Sequence, residues 1–205
     1  MRWLLAATRL WWLLPASLVA GGMSALAIDA TISVPLLDQG FAFSQVRASV
    51  VAPLAAVALF SAIGSRTSTL AAAVSSRCHA VMLNVTMWTL IVLFGMAHQL
   101  TLIALAREPD LDAVRNGFGY AALMFAAQNV VGSRAAPLVP VAYAVIGTIF
   151  SRVDGILQPW AWHVGSATPR DVAVAVSISV ACSLGSGVAA FVRGARFYDT
   201  RSVLG

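Results

Sequence analysis

Apolar residues fall in six runs along the 205-residue chain, at 10–28, 48–64, 80–106, 117–131, 138–150 and 172–192, and the segments between them carry most of the charge. An α-helix needs about 20 mainly apolar residues to cross a bilayer, so this pattern predicts six membrane-spanning helices joined by short connections. The expected fold class is therefore all-α, a single polytopic transmembrane domain over 1–205 with no room for a second, soluble one. The fourth and fifth runs are short. Gly132, Pro137 and Pro140 punctuate the turn between them, so the pair also reads as one long broken helix. Ahead of the first run, residues 1–10 carry Arg2, Trp3 and Arg9, a composition that predicts a short interfacial helix at headgroup level.

Composition narrows the class. The chain is 60% hydrophobic and only 10% charged, with a mean hydropathy of +0.84, against about 25% charged residues in soluble domains. All 13 basic residues are arginine. They stand singly between apolar runs instead of clustering on one face, which argues against nucleic acid as a partner. The absence of lysine excludes a phosphate-binding loop of the G-x-x-x-x-G-K-[ST] type, so any energy from nucleotide has to come from another subunit.

Charge sorting gives the expected orientation, because arginine is retained on the cytoplasmic side. With the N-terminus inside, the inner segments hold Arg2, Arg9, Arg66, Arg77, Arg134, Arg193, Arg196 and Arg201 against the single acid Asp199. Seven of the eight acids then lie outside with the other five arginines. Both termini are expected in the cytoplasm and the chain in the cell's inner (plasma) membrane, surrounded by lipid bilayer. Ala25-Leu26-Ala27 resembles a signal-peptidase site, but Arg9 interrupts the apolar segment before it, so the N-terminus is expected to be retained.

Enzymatic signatures are weak. His79, His98 and His163 lack the spacing of a metal site. Gly185-Ser186-Gly187 lies in the last run with no histidine after it, and reads as close helix packing instead of a protease turn. The chain is expected to be non-catalytic and to bind no cofactor itself, with Cys78 and Cys182 unpaired. Within the runs, Asn84, Thr86, Gln128 and Asn129 need protein or water for partners, as do His98 and Gln99 near the outer end of the third run. The first four are candidates for lining a translocation pathway, against the ordinary alternative of interhelical bonding. Small-residue stripes at Ala16-xxx-Ala20-xxx-Ser24 and Gly117-xxx-Ala121 predict close helix approach.

The segment SRTSTLAAAVSSRCHAVMLN, between the second and third runs, resembles the cytoplasmic loop of ABC type-2 permeases. Ser68-Thr69-Leu70 stands where that family has G-T-L, and Ser76-Arg77 where it has a serine-arginine pair. Ala71 replaces the family's acidic residue, and its proline is missing. The layout is also similar: an interfacial helix, six spans with both ends inside, and a Pro- and Trp-rich fifth-to-sixth connection, here SRVDGILQPWAWHVGSATPRD, that looks like a short re-entrant hairpin. The resemblance implies a permease subunit that works as a dimer, economically a homodimer, on a separate cytoplasmic ATPase that holds ATP and Mg. Arg66, Thr67, Ser68, Thr69, Leu70, Ser76 and Arg77 would form the ATPase-coupling loop. It implies export, and the scarcity of charge in the spans favours a hydrophobic or amphipathic compound, lipid or peptide. Two alternatives come from other classes: a substrate-capturing subunit of a vitamin-type uptake system, and a non-transporting membrane scaffold.

Overall fold

The computed structural model describes residues 12–35, 43–71, 76–153 and 156–202. In chain order it holds α1 (Leu13–Leu26), β1 (Thr31–Pro35), β2 (Phe43–Arg47), α2 (Ala48–Ala71), α3 (Ser76–Ala104), α4 (Leu111–Ala135), α5 (Leu138–Ile149), β3 (Arg152–Val153), β4 (Ile156–Leu157), a 3-10 turn (Pro159–Ala161) and α6 (Pro169–Ser202). Each predicted apolar run has become one helix, so six α-helices dominate. The all-α expectation needs one correction: two antiparallel hairpins, β1–β2 and β3–β4, occupy connections in which no strand is predicted. The expected interfacial helix over 1–10 lies outside the described residues.

Six full-length spans are not what the helices provide. Among the described residues, two helical segments are long and apolar enough to cross a membrane, Asn84–Ala104 in α3 and Pro169–Ala189 in α6. At a rise of about 1.5 Å per residue, the 14-residue α1 measures about 21 Å and the 12-residue α5 about 18 Å, short of a hydrocarbon core of about 30 Å. α2 and α4 are long enough but polar at their ends, α2 through Ser65 to Thr69 and α4 through Asp112, Arg115 and Asn116. α4 is also broken at Gly132, whose φ of 80° and ψ of 162° belong to no L-residue helix, so the chain turns back early into α5.

The two long apolar segments are mostly unburied, unlike the core helices of a soluble fold. Only 33% of the first and 17% of the second is buried. Val19 and Met23 on α1, Met96, Leu100 and Ile103 on α3, and Leu184 and Val188 on α6 are all more than half exposed. Apolar surface on this scale needs a lipid or protein partner.

The interior is built from two close helix pairs, α1 on α3 and α4 on α6, joined by α2 against α4 and by α3 against α6. Phe60, Met87, Leu90, Tyr120, Met124 and Phe125 are fully buried at the junction. α1 buries Leu13, Ser17, Gly21, Ser24 and Ala25, leaving Ala16 exposed, so the close-packing stripe runs one residue on from the Ala16/Ala20 register. A Cβ at Gly21 would run into the Phe94 carbonyl oxygen, and Ser17 Oγ donates to the Leu90 carbonyl at 2.5 Å. Small residues here let two backbones meet. Gly117 and Ala121 are both buried, Gly117 facing Ile91 and Pro53 as its stripe predicted.

Three connections meet at one end of the bundle. Asp29 after α1 pairs with Arg107 after α3 at 2.6 Å. Asp112 accepts the Ala167 N–H, and Asn116 donates to the carbonyls of Ser49 and His163. Five of the acids, Asp29, Glu108, Asp110, Asp112 and Asp171, therefore gather where the charge sorting grouped them. α2 begins at this end, where the Ala48 N–H donates to the Ala30 carbonyl, and α3 finishes here.

Candidate functional site

The acid-rich end carries a buried polar network built on the first turns of α4. Asp110 caps α4, accepting the Asp112 N–H at 2.9 Å. One and a half turns later Arg115 is 5% exposed. Its Nη2 donates to the Gly165 carbonyl at 2.7 Å, its Nε to Asn116 Oδ1 at 3.1 Å, and Asp112 lies 4.0 Å away. The guanidinium also sits 5.8 Å from the centre of the Trp162 ring, within cation–π range. A buried cation is tolerated only when its donors are matched in this way.

The segment after β4 folds back against α4 and α5. Trp162 lies against Gly119, two turns into α4, where any Cβ would collide with the indole. Tyr143 on α5 donates to the Trp160 carbonyl, and Trp160 Nε1 donates to the Phe150 carbonyl at 3.0 Å. His163 is fully buried, with Nε2 3.0 Å from Thr148 Oγ1 and its ring against Tyr120, Tyr143 and Trp162. Burial pushes this imidazole down to about 4; the Arg115 charge acts in the same direction, and the Ala144 carbonyl opposes both. His163 is therefore a neutral packing element at physiological pH.

His98 is the second buried histidine of this end. It stacks on Phe94 and places Nε2 3.4 Å from Asp110. Burial raises the Asp110 carboxyl, but His98 and the N–H groups of Asp112 and Ala113 outweigh it and hold the carboxyl below its ordinary value. The pair ties the end of α3 to the start of α4.

Between α4 and α6, under the folded-back hairpin, lies a cavity of about 610 Å³, within the roughly 300–1,000 Å³ of small-molecule sites. Arg115, Gln158, Ser166 and Asp171 line one end, Trp162 and Gly119 follow, and the walls continue down Ala122 and Ala126 on α4 and Ala175 and Ile178 on α6 to Cys182. It is an amphipathic groove: polar at the acid-rich end and apolar beyond. No group of three or more His, Cys, Asp or Glu suited to a metal occurs among the described residues.

The sequence-predicted pathway residues are placed by their helix contacts. Asn84 is buried and donates through Nδ2 to the Ser183 carbonyl at 3.0 Å, and Ser186 Oγ donates to Gln128 Oε1 at 3.0 Å. These two clasps fasten α3 and α4 to neighbouring turns of α6. Thr86 and Asn129 are half-buried. None of the four lines the α4–α6 cavity. Gly185 corrects the close-packing expectation, since a Cβ there meets nothing within 4 Å. Of the coupling segment, Arg66, Thr67, Ser68, Thr69 and Leu70 lie in the last turns of α2, while Ser76 and Arg77 open α3. Their side chains, and residues 72–75, lie outside the described residues.

Arg115, Trp162 and Asp171 escaped the sequence reading as site residues. Arg115 and Asp171 were counted as topology charges and Trp162 as an aromatic of the hairpin. The available signal was an arginine only two positions before an apolar run, a place where an ionisable side chain is costly unless used.

No protein-family model matches the chain, and neither does any curated protein or solved structure.

Proposed function

We propose that the chain is a multi-pass subunit of the plasma membrane, the permease half of an ATP-driven transporter of the ABC type-2 kind. It exports a hydrophobic or amphipathic compound, lipid or peptide, and pairs with a second, identical copy. In this reading all six helices lie in the bilayer, α4 and α5 acting as a broken pair, with both termini in the cytoplasm. The observation that carries the proposal is the polarity of the bundle. Acids and the tryptophan hairpin gather at one end, from which α2 runs 24 residues, about 36 Å, toward the other. A separate cytoplasmic ATPase, holding ATP and Mg, engages that opposite end, and nucleotide-driven movement there shifts α2 and α3 between two states.

The test is reconstitution with a soluble ATPase that co-purifies with this chain. The permease reading expects co-purification and faster hydrolysis in lipid, with the acceleration lost when residues 66–77 become a Gly/Ser linker and insertion is unchanged. Equal hydrolysis with and without the chain overturns it. One observation favours a second reading as a vitamin-capturing subunit: Ala16 is exposed on the face of α1 turned away from α3, open to a partner helix. A small vitamin retained through purification without any ATPase selects that reading.

A further inference from the structure

The α4–α6 groove has the dimensions and polarity of one half of a bilayer. From Arg115 to Ala126 on α4, and from Asp171 to Cys182 on α6, its two walls each run eleven residues, about 16 Å of helix. One leaflet of a hydrocarbon core is about 15 Å deep. Both walls start from the acid-rich end, so their polar residues lie together at one mouth. Trp162 lies near that mouth, the level at which indole rings meet headgroups. Beyond it, Ala122, Ala126, Ala175 and Ile178 present short or aliphatic side chains, leaving a slot walled by hydrocarbon.

The mouth carries both signs of charge. Arg115 has five N–H groups, of which its hydrogen bonds to Asn116 and Gly165 engage two. Asp171 is exposed, holds Thr168 through its backbone N–H and hydroxyl, and interacts electrostatically with Arg115 without forming an ion pair to it. A cation and an anion held apart at the top of an apolar slot complement a ligand that carries the reverse pair.

We infer that the groove seats one acyl chain of a zwitterionic phospholipid from the leaflet at the acid-rich end, its phosphate toward Arg115 and its ammonium toward Asp171 and the Trp162 ring. The inference rests on the membrane part of the function proposed above and is independent of the ATPase.

The experiment uses the full chain in nanodiscs of phosphatidylglycerol doped with phosphatidylcholine that carries a photoactivatable group on one acyl chain. Crosslinks are mapped by mass spectrometry. The expected result is labelling between Ala122 and Ala126 and between Ile178 and Cys182 at least five-fold above that at Met96 and Leu100, which are open to lipid on α3. Unlabelled phosphatidylcholine competes and added phosphatidylglycerol does not. Ala126→Trp fills the slot from an exposed position and abolishes the excess, whereas Val130→Trp, one turn on and 85% exposed, leaves it intact. Asp171→Asn lowers the preference for phosphatidylcholine at least three-fold. Labelling as strong on α3 as in the groove, or competition independent of headgroup, overturns the proposal. ATPase acceleration measured in the same nanodiscs separates the two readings: scattered labelling with acceleration removes the lipid seat alone, and focused labelling without it removes the permease alone.

Discussion

Gly21 and Gly185 are both glycines within apolar helices, and the structure gives them opposite roles. A methyl group on Gly21 meets the backbone oxygen of Phe94, which has no rotamer by which to yield. Gly21→Ala is therefore expected to force α1 from α3 and destabilise the chain by about 1–3 kcal/mol, the usual cost of overpacking. Gly185→Ala meets nothing and is expected to be neutral or slightly stabilising, since alanine is the better helix former. Thermal unfolding of both variants in one detergent checks the pair, and equal loss in the two would contradict the α1–α3 contact. The buried acid–base groups make a prediction of their own. His163 ordinarily titrates at 6.5 and in the fold at about 4, so the unfolded chain takes up the proton first and stability falls as pH drops through that window. Asp110 is held below its ordinary 3.8, so its contribution is present above that value and lost as acid finally protonates the folded carboxyl. Unfolding midpoints measured from pH 7 to 3 are expected to decline between 6.5 and 4 in the parent chain, to flatten there in His163→Gln, and to keep that decline in Asp110→Asn.

At the scale of elements, Asn84 and Gln128 act as fasteners. Each joins its helix to α6, and interhelical hydrogen bonds of this kind contribute about 0.6 kcal/mol on average in membranes. Asn84→Ala and Gln128→Ala are expected to lower stability by about that amount each while leaving the proposed transport intact, which unfolding and flux assays on the same variants measure. Loss of flux with stability unchanged would return these residues to a pathway. The helices themselves were legible from apolar runs: the run at 80–106 became Ser76–Ala104, and the run at 138–150 became Leu138–Ile149. The hairpins were not. β1 and β2 are five residues each and β3 and β4 two, too short for alternation to stand out from connecting chain. The groove was illegible for another reason. Arg115 meets Gly165 across fifty residues, and no local pattern reports a contact of that separation. Helix register was also lost by one residue in α1, because Ser17 and Gly21 are as small as Ala16 and Ala20 and composition alone does not choose between the two stripes.

For the whole molecule, the decisive property is the separation of its two ends. Single cysteines at Asp29 and Thr69, in a background with Cys78→Ser and Cys182→Ser, are expected to react with an impermeant maleimide from opposite sides of intact cells and inverted vesicles. Labelling of both from one side contradicts the six-helix arrangement in the bilayer. The break at Gly132 bears on the same scale. α5 rises only about 18 Å from its turn to the aromatic end, so a bilayer of ordinary thickness does not fit it. In the proposed six-span arrangement, lipids beside that turn have to tilt or shorten their chains, a mismatch that costs fractions of a kcal/mol per Å. The membrane then dimples inward next to α5, and an amphiphile moving between leaflets there has a thinner layer of oil to cross.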